Sequence, residues 1–553
     1  MENKQDNFSR IRPYMPLIFA VVLLAGVLLG LNLRLPQSSQ PEKKFFSIGF
    51  DRYDKIGDII NYVYDSYVDS VSREYLTEET IQSMLKSLDP HSAYIPASEF
   101  AEMNDPLIGS FEGIGIEFNM ISDTVVVINP IAGGPSEKAG IMPGDRIVMV
   151  EDEVIAGVDM STNDVVRKLK GRKGTEVNVK VFRRGVPELI PFKLIRDKIP
   201  SYSLDVAYMV DDEIGYIRLN KFSATTHQEF LLALERLKRD GMGKLILDLR
   251  GNGGGFLDAA IHLSDEFLEQ QQLIVYTDGR RRPRTYAHAR RNGGFETQPL
   301  VILIDEWSAS ASEIVAGAVQ DNDRGLVIGR RSFGKGLVQE QVQLGDGSAM
   351  RLTVARYYTP TGRSIQKPYE NGEEEYFQEF YQRFLDGELE HPDSIRFDDT
   401  LKFETPAGRI VYGGGGIMPD IFIPIETGEN ISFFNQVANR GLIYRFAFDY
   451  ADRNRDRLMT YDTAREFVQG FSISQRIYNE FLDFVREQGL NPAAQPESEQ
   501  IIRNQLKAYI GRNLYGSEAF FPVLHQRDNA FARAMQVLRE ETIEQYLVIQ
   551  RQD

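Results

Sequence analysis

The chain has 553 residues, more than one hydrophobic core ordinarily serves, so several domains are expected. Its formal charge of −17 sets up a far field that repels phosphate backbones, which argues against a general nucleic-acid binder. The absence of cysteine excludes thiol catalysis, disulfides and thiolate metal sites, and leaves the compartment to be read elsewhere.

Residues 15–33 form an uncharged apolar run of transmembrane length preceded by Arg10 and Arg12. No A-x-A cleavage site and no lipobox cysteine follow, which favours an uncleaved anchor over a signal peptide. Arg34, Lys43 and Lys44 nearly balance Lys4, Arg10 and Arg12, so charge alone does not orient it. A polar, Pro/Gln/Ser-rich tether over 34–48 leads into helical spacing over 56–88 (Ile59, Ile60, Val63, Tyr64, Tyr67), which ends at Asp89-Pro90.

From 100 to 195, short β-rich runs at 125–128, 146–150 and 177–182 alternate with Gly/Pro turns and one helical stretch, 163–169, predicting one compact β domain. Beyond Pro200, strand-like runs (214–219, 245–249, 300–304, 325–328) alternate with helical ones (228–239, 257–268, 312–320), the pattern of an α/β catalytic layer. The basic cluster Arg280, Arg281, Arg282 and Arg284 brackets Pro283 and reads as a solvated loop. Residues 367–408 form a charged, aromatic-rich insertion, and 433–546 is mostly helical in periodicity.

The segment Ser308-Ala-Ser-Ala-Ser-Glu-Ile follows the strand VILID and opens a helix, where backbone N–H groups and the helix dipole can stabilise an oxyanion. Ser308, Ser310 and Ser312 all stand as nucleophile candidates, while Ser310 and Glu313 equally satisfy an S-x-x-E capping box. Lys335 lies between two glycines in Ser332-Phe-Gly-Lys-Gly, and Gly329 to Lys335 spells the start of a phosphate-binding G-x-x-x-x-G-K loop. Gly336 stands where that loop needs a Ser or Thr for Mg²⁺. Ser83 and Lys86 match S-x-x-K without its companion motifs, and Asp452, Asn454 and Asp456 start a calcium loop that lacks its Gly and its final Glu. No G-x-S-x-G elbow is present, which weakens a Ser-His-Asp triad without removing it.

Together these residues resemble the C-terminal processing peptidases, the tail-specific proteases of family S41. The likeness begins at Leu88-Asp-Pro-His-Ser-Ala-Tyr94, reaches its most specific part in SASASEIVAGAVQDNDRGLVIGRRSFGKGLVQ, and continues through Tyr357-Tyr-Thr-Pro-Thr-Gly362 to Gly416-Ile-Met-Pro-Asp420. It implies Ser310 as nucleophile, Lys335 as base, Gln339 beside the lysine and Asp321 in support. Asp248-Leu-Arg-Gly-Asn-Gly-Gly-Gly255 looks like the family's oxyanion turn with Gly253 in place of proline, so Ala311 and either Gly254 or Gly255 are the implied donors. No metal or organic cofactor is implied.

A dyad of this kind needs a desolvated lysine, since at a reference pKa near 10.4 only about one molecule in 2,500 is neutral at pH 7. Phe111-Glu-Gly-Ile-Gly-Ile116 and the turn at 139–146 resemble a PDZ carboxylate-binding loop and its companion turn, so Phe111, Gly113, Ile114, Gly115 and Ile116 are expected to receive a peptide C-terminus.

The expected fold is multidomain α+β. It comprises a cytoplasmic stretch (1–14), a transmembrane helix (15–33), a tether and helical segment (34–99), a PDZ domain (100–195), an α/β S41 peptidase core of the ClpP/crotonase type (200–425, with the insertion 367–408) and a helical C-terminal region (426–553). Expected partners are protein or peptide substrates with free C-termini, the membrane through the N-terminal helix, a second copy of the chain, and an adaptor or regulator on the C-terminal helices, with no nucleic acid. The resemblance implies a single-pass inner-membrane protein with its catalytic part periplasmic. The rival readings are a catalytically inactive PDZ scaffold and a nucleotide-binding protein built on Gly329 to Lys335.

Overall fold

The computed structural model describes residues 20–26, 54–396, 398–426 and 429–540. The chain divides into two units, Met1–Arg73 and Glu74–Asp553. In the first, helix Lys55–Ser66 is capped by Asp54, whose carboxylate accepts from the Gly57 N–H at 3.0 Å, and it buries none of its side chains. The expected anchor at 15–33 lies mostly outside the described residues. Its part at 20–26 is helical and exposed, and among the described residues no helix is long and apolar enough to cross a membrane.

The second unit is organised by a six-stranded sheet, in the order Leu204–Met209, Ile214–Leu219, Lys244–Asp248, Leu300–Ile304, Leu326–Gly329, Ile421–Phe422. Its first pair is antiparallel and the rest are parallel. Such strands are covered on both faces, and the side chains divide accordingly. Leu245, Leu247, Leu300, Ile302 and Ile304 pack with helices Thr226–Arg239, Leu257–Ser264 and Ala311–Asp321. Ile246, Val301, Leu303, Leu326 and Ile328 meet Phe531, Ala534, Met535, Val537 and Leu538 of helix Asn529–Glu540. A second, antiparallel sheet is built on the strand Ala349–Tyr358, which pairs with Ala93–Ile95, Leu273–Asp278 and Leu337–Gln343.

The β domain branches from this unit on a two-stranded stalk, Ser110–Gly113 against Asp197–Pro200. Its main sheet runs from edge strand Ile116–Met120 through Val125–Pro130, Arg146–Val150 and Glu176–Phe182 to Ile190–Ile195. Alternation sends Val125 and Val127 into the domain core and Val126 and Ile128 outward, where they meet Phe448 of C-terminal helix Leu442–Arg453. Arg512 pairs with Glu117 (2.9 Å) and Arg184 with Asp452 (3.5 Å) around that contact. The C-terminal helices have a core of their own, centred on Phe446, Phe467 and Phe481.

Polar groups are buried where segments far apart in sequence must be held in register. Arg363 is fully buried, donates to Asp321 at 2.7 Å, to the Gln320 side chain at 2.8 Å and to the Tyr412 carbonyl at 2.8 Å. Asp321 also accepts from the Thr361 hydroxyl (2.7 Å), so the segment following Tyr358 is pinned to the far end of helix Ala311–Asp321. Removing the carboxylate strands a buried guanidinium, which costs about 3–5 kcal/mol. Asp321→Ala is therefore expected to lower the unfolding free energy by an amount of that size, read as a fall in the urea midpoint; an unchanged midpoint contradicts the assignment.

Candidate active site

The site forms at the carboxyl ends of two adjacent parallel strands, the position where open α/β sheets place their ligands. Leu245 to Asp248 run in register with Leu300 to Leu303, so the turns that leave the two strands meet. The first turn carries the glycines of 251–255 and the second carries the three serines. A Cβ on Gly254 would stand 2.8 Å from Ser310 Cβ and 2.7 Å from the Ala309 carbonyl oxygen, so only glycine allows this approach. The Ala309 N–H and the Ser312 hydroxyl both donate to the Asn252 carbonyl, at 3.0 and 2.8 Å, and lock the turns together.

The structure separates the three serines. Ser308 is fully buried and its hydroxyl donates to the Leu249 carbonyl at 2.9 Å. Ser312 is likewise buried, with its hydroxyl on Asn252. Ser310 is partly exposed and caps helix Ala311–Asp321 with φ 55° and ψ −110°, a conformation that non-glycine residues adopt only where surroundings enforce it.

The enforcing groups are Glu313 and Tyr357. Glu313 is completely buried and accepts four hydrogen bonds: from the backbone N–H of Ser310 (2.7 Å), Lys335 (2.9 Å) and Gly334 (2.7 Å), and from the Ser332 hydroxyl (2.5 Å). The Tyr357 hydroxyl lies within hydrogen-bond distance of the Ser310 carbonyl (3.1 Å) and the Lys335 carbonyl (2.6 Å). Serine turn and lysine loop are thus stapled twice, through N–H groups and through carbonyls. Burial pushes the Glu313 carboxyl up to about 7, and its four donors act against that rise.

Lys335 directs its ammonium to Gln339 Oε1 at 3.2 Å, and Gln339 Nε2 donates to the His91 carbonyl at 3.0 Å. Burial, reinforced by the positive charge of Arg351 and opposed by Glu313 and Asp89, brings the Lys335 pKa down to about 8. At that value about one molecule in ten is neutral at pH 7. The loop of Asp89, His91 and Ser92 is fixed by the Asp89 carboxylate, which accepts from the N–H groups of His91 and Ser92 at 2.9 Å each. The insertion closes the other side of the lysine loop: Arg383 of helix Glu373–Leu385 donates to the carbonyls of Ser332 (3.1 Å) and Arg331 (2.9 Å).

Of the implied oxyanion donors, Gly254 gives its N–H to Asn252 Oδ1 at 2.9 Å, which leaves Gly255 as the freer of the two glycines beside Ala311. Asp321 sits at the opposite end of the 11-residue helix from Ser310, about 16 Å away at the helical rise, and pairs with Arg363. Gly329 to Lys335 leads into strand Leu337–Gln343 and not into a helix, so no phosphate cradle forms there. Ser83 and Lys86 are exposed on helix Arg73–Lys86, and Asp452 pairs with Arg184 instead of completing a calcium loop.

In the β domain, Ile116 opens the edge strand, whose one strand neighbour among the described residues is Val125–Pro130. Ile114 is buried and its carbonyl accepts from Ser136 N–H (3.1 Å) and Oγ (2.7 Å), while Gly115 takes φ +76°. Gly113 and Phe111 belong to the stalk, where the Lys170 ammonium lies 5.2 Å from the Phe111 ring centre. Sequence reasoning read Glu313 only as a helix cap and gave Tyr357 and the His91 carbonyl no part. All three lie in motifs that carried the resemblance.

Residues 213–371 match the model of peptidase family S41, residues 113–194 the PDZ domain, and residues 433–516 a family of unknown function. A carboxy-terminal-processing protease of Bartonella bacilliformis is 39% identical over 317 residues, spanning 56% of this chain and 72% of that protein. The carboxy-terminal processing protease CtpB of Bacillus subtilis is 34% identical over 360 residues, 62% of this chain and 72% of its own. Among solved structures, the photosystem II D1 C-terminal processing protease is 33% identical and matches 56% of this chain and 83% of its own at a TM-score of 0.32. By the family models and the two curated relatives, the chain belongs to peptidase family S41 and is a C-terminal processing serine protease with a PDZ domain.

Proposed function

We propose that the enzyme cleaves peptide bonds with a Ser310–Lys335 dyad, acting on proteins whose free C-termini its PDZ domain receives. The observation that carries the dyad is the half-buried, pKa-lowered Lys335 in a loop that Glu313 and Tyr357 staple to the turn of Ser310, the partly exposed serine of three. Neutral Lys335 accepts the Ser310 hydroxyl proton as the oxygen attacks the scissile carbonyl. The N–H groups of Ala311 and Gly255 stabilise the oxyanion, and the resulting ammonium returns the proton to the leaving amine. Water then resolves the acyl-enzyme with Lys335 again as base. Gln339 holds the lysine in line in both of its protonation states.

The proposal extends to placement. An uncleaved anchor at 15–33, supported by its uncharged length after Arg10 and Arg12, tethers a catalytic part that works outside the cytoplasm. Protease added to spheroplasts is expected to digest the bulk of the chain; protection of that bulk contradicts this placement.

Ser310→Ala and Lys335→Ala should each lower kcat by several orders of magnitude, and the double variant should be scarcely worse, because residues acting as a unit are non-additive. Peptide hydrolysis by variants checked by circular dichroism tests this, and an active Lys335→Ala enzyme refutes the dyad. The pH dependence has a fixed sign: the base is the deprotonated lysine, so kcat/KM should climb as pH rises through about 8. A profile already flat from pH 6 upward would instead point to a different base. Because PDZ sheet edges grip a free carboxylate, amidating the C-terminus of a good substrate should raise its KM, and equal kinetics for the two peptides would remove the PDZ domain from recognition.

A further inference from the structure

Arg250 begins the glycine turn that faces Ser310, and its surroundings come from the central sheet and from the C-terminal region. Its guanidinium contacts the fully buried Asp248 at 2.7 Å and, on its other side, Asp528 through two bonds of 3.0 and 2.7 Å. Asp248 is further held by Arg218 (3.0 Å) and the Tyr216 hydroxyl (2.6 Å). Around the same cluster, His525 stacks on Phe531 with ring centres 4.0 Å apart and meets Tyr216 edge-on at 4.5 Å. Burial raises the Asp528 carboxyl, but Arg250 overrides it and holds the group below the ordinary aspartate value. His525, Asp528 and Phe531 all lie beyond residue 516, outside both matched family segments of this half of the chain.

From Arg250 the constraint passes along a short path. The Arg250 N–H donates to Asp248 (2.9 Å), its carbonyl accepts from Arg218 (2.8 Å), the Gly251 N–H donates to Asp305 (2.9 Å), and Gly254 closes on Ser310. Without Asp528, Arg250 would keep only Asp248, which it shares with Arg218 (itself also paired with Asp205 at 3.3 Å), and the Arg250 Nη1 bond would be lost. We propose that Asp528 is a positioning residue of the proteolytic reaction, gripping Arg250 so that the turn it starts stays seated against Ser310. This rests on the reading of that turn as an oxyanion donor, and it makes the C-terminal region part of the catalytic apparatus.

Asp528 has a second, purely structural contact, accepting from the Phe531 N–H at 3.0 Å at the start of helix Asn529–Glu540. The two roles separate by substitution, because Asn and Ser also cap helices but carry no charge. In the full-length enzyme, Asp528→Asn and Asp528→Ser are expected to lower kcat at least tenfold with KM within twofold of the parent. A peptide boronate matched to the assay substrate, which forms a tetrahedral adduct on the serine, should lose affinity by the same factor as kcat/KM. Asp528→Glu should recover most of both. Should one neutral variant not fold, the other is compared with Asp528→Glu. A folded neutral variant with parental kcat, or one whose kcat falls while boronate affinity stays parental, overturns the proposal. If the parent binds the boronate no more tightly than Ser310→Ala does, the oxyanion reading itself fails.

Discussion

One buried carboxylate decides whether this enzyme has an active site at all. Glu313 takes N–H groups from the residues proposed as nucleophile and base, so the two are positioned by a group that touches neither proposed reacting atom. Its burial is costly unless every lone pair is used, and its four donors use them. The same shared pair of oxygens fixes the unusual backbone of Ser310, whose conformation no local preference would select.

The site follows from this constraint together with sheet geometry. Adjacent parallel strands deliver the glycine turn and the serine turn to one place, and the antiparallel strand that carries Tyr357 and its neighbour after Lys335 deliver the rest. Lysine chemistry then depends on dryness. Helix Glu373–Leu385 binds the carbonyls beside the lysine loop, and the His91 segment covers the side where Gln339 sits. The insertion, which reads in sequence only as charged and aromatic-rich, is a wall of the site.

Much of this is legible in the amino-acid sequence because the chemistry sits in short contiguous motifs. Strand, small residues and helix in succession mark the serine turn, and paired glycines mark the close approaches at 254 and 334–336. What sequence cannot weigh is double duty. The capping box at Ser310 and Glu313 reads as an alternative to catalysis, yet the glutamate that caps the helix is the one that reaches the lysine loop 22 residues away. Distance in sequence hides the rest: Arg250 and Asp528 are 278 residues apart, and nothing local to either announces the other. Asp321 shows the reverse case, since a conspicuous acid in a motif pairs with a buried arginine far along the helix from Ser310.

The helix that closes the second face of the central sheet has a bearing on biosynthesis. The strands of that sheet lie between residues 204 and 422, but the apolar side chains covering one face come from 531 to 538. Each large one contributes about 1.5–3 kcal/mol only once it is seated. While the chain emerges from the ribosome, then, the sheet stays open on that face until residues 531–538 are available. The nascent protease therefore completes this core only once helix Asn529–Glu540 has emerged, long after the last strand of the sheet it covers.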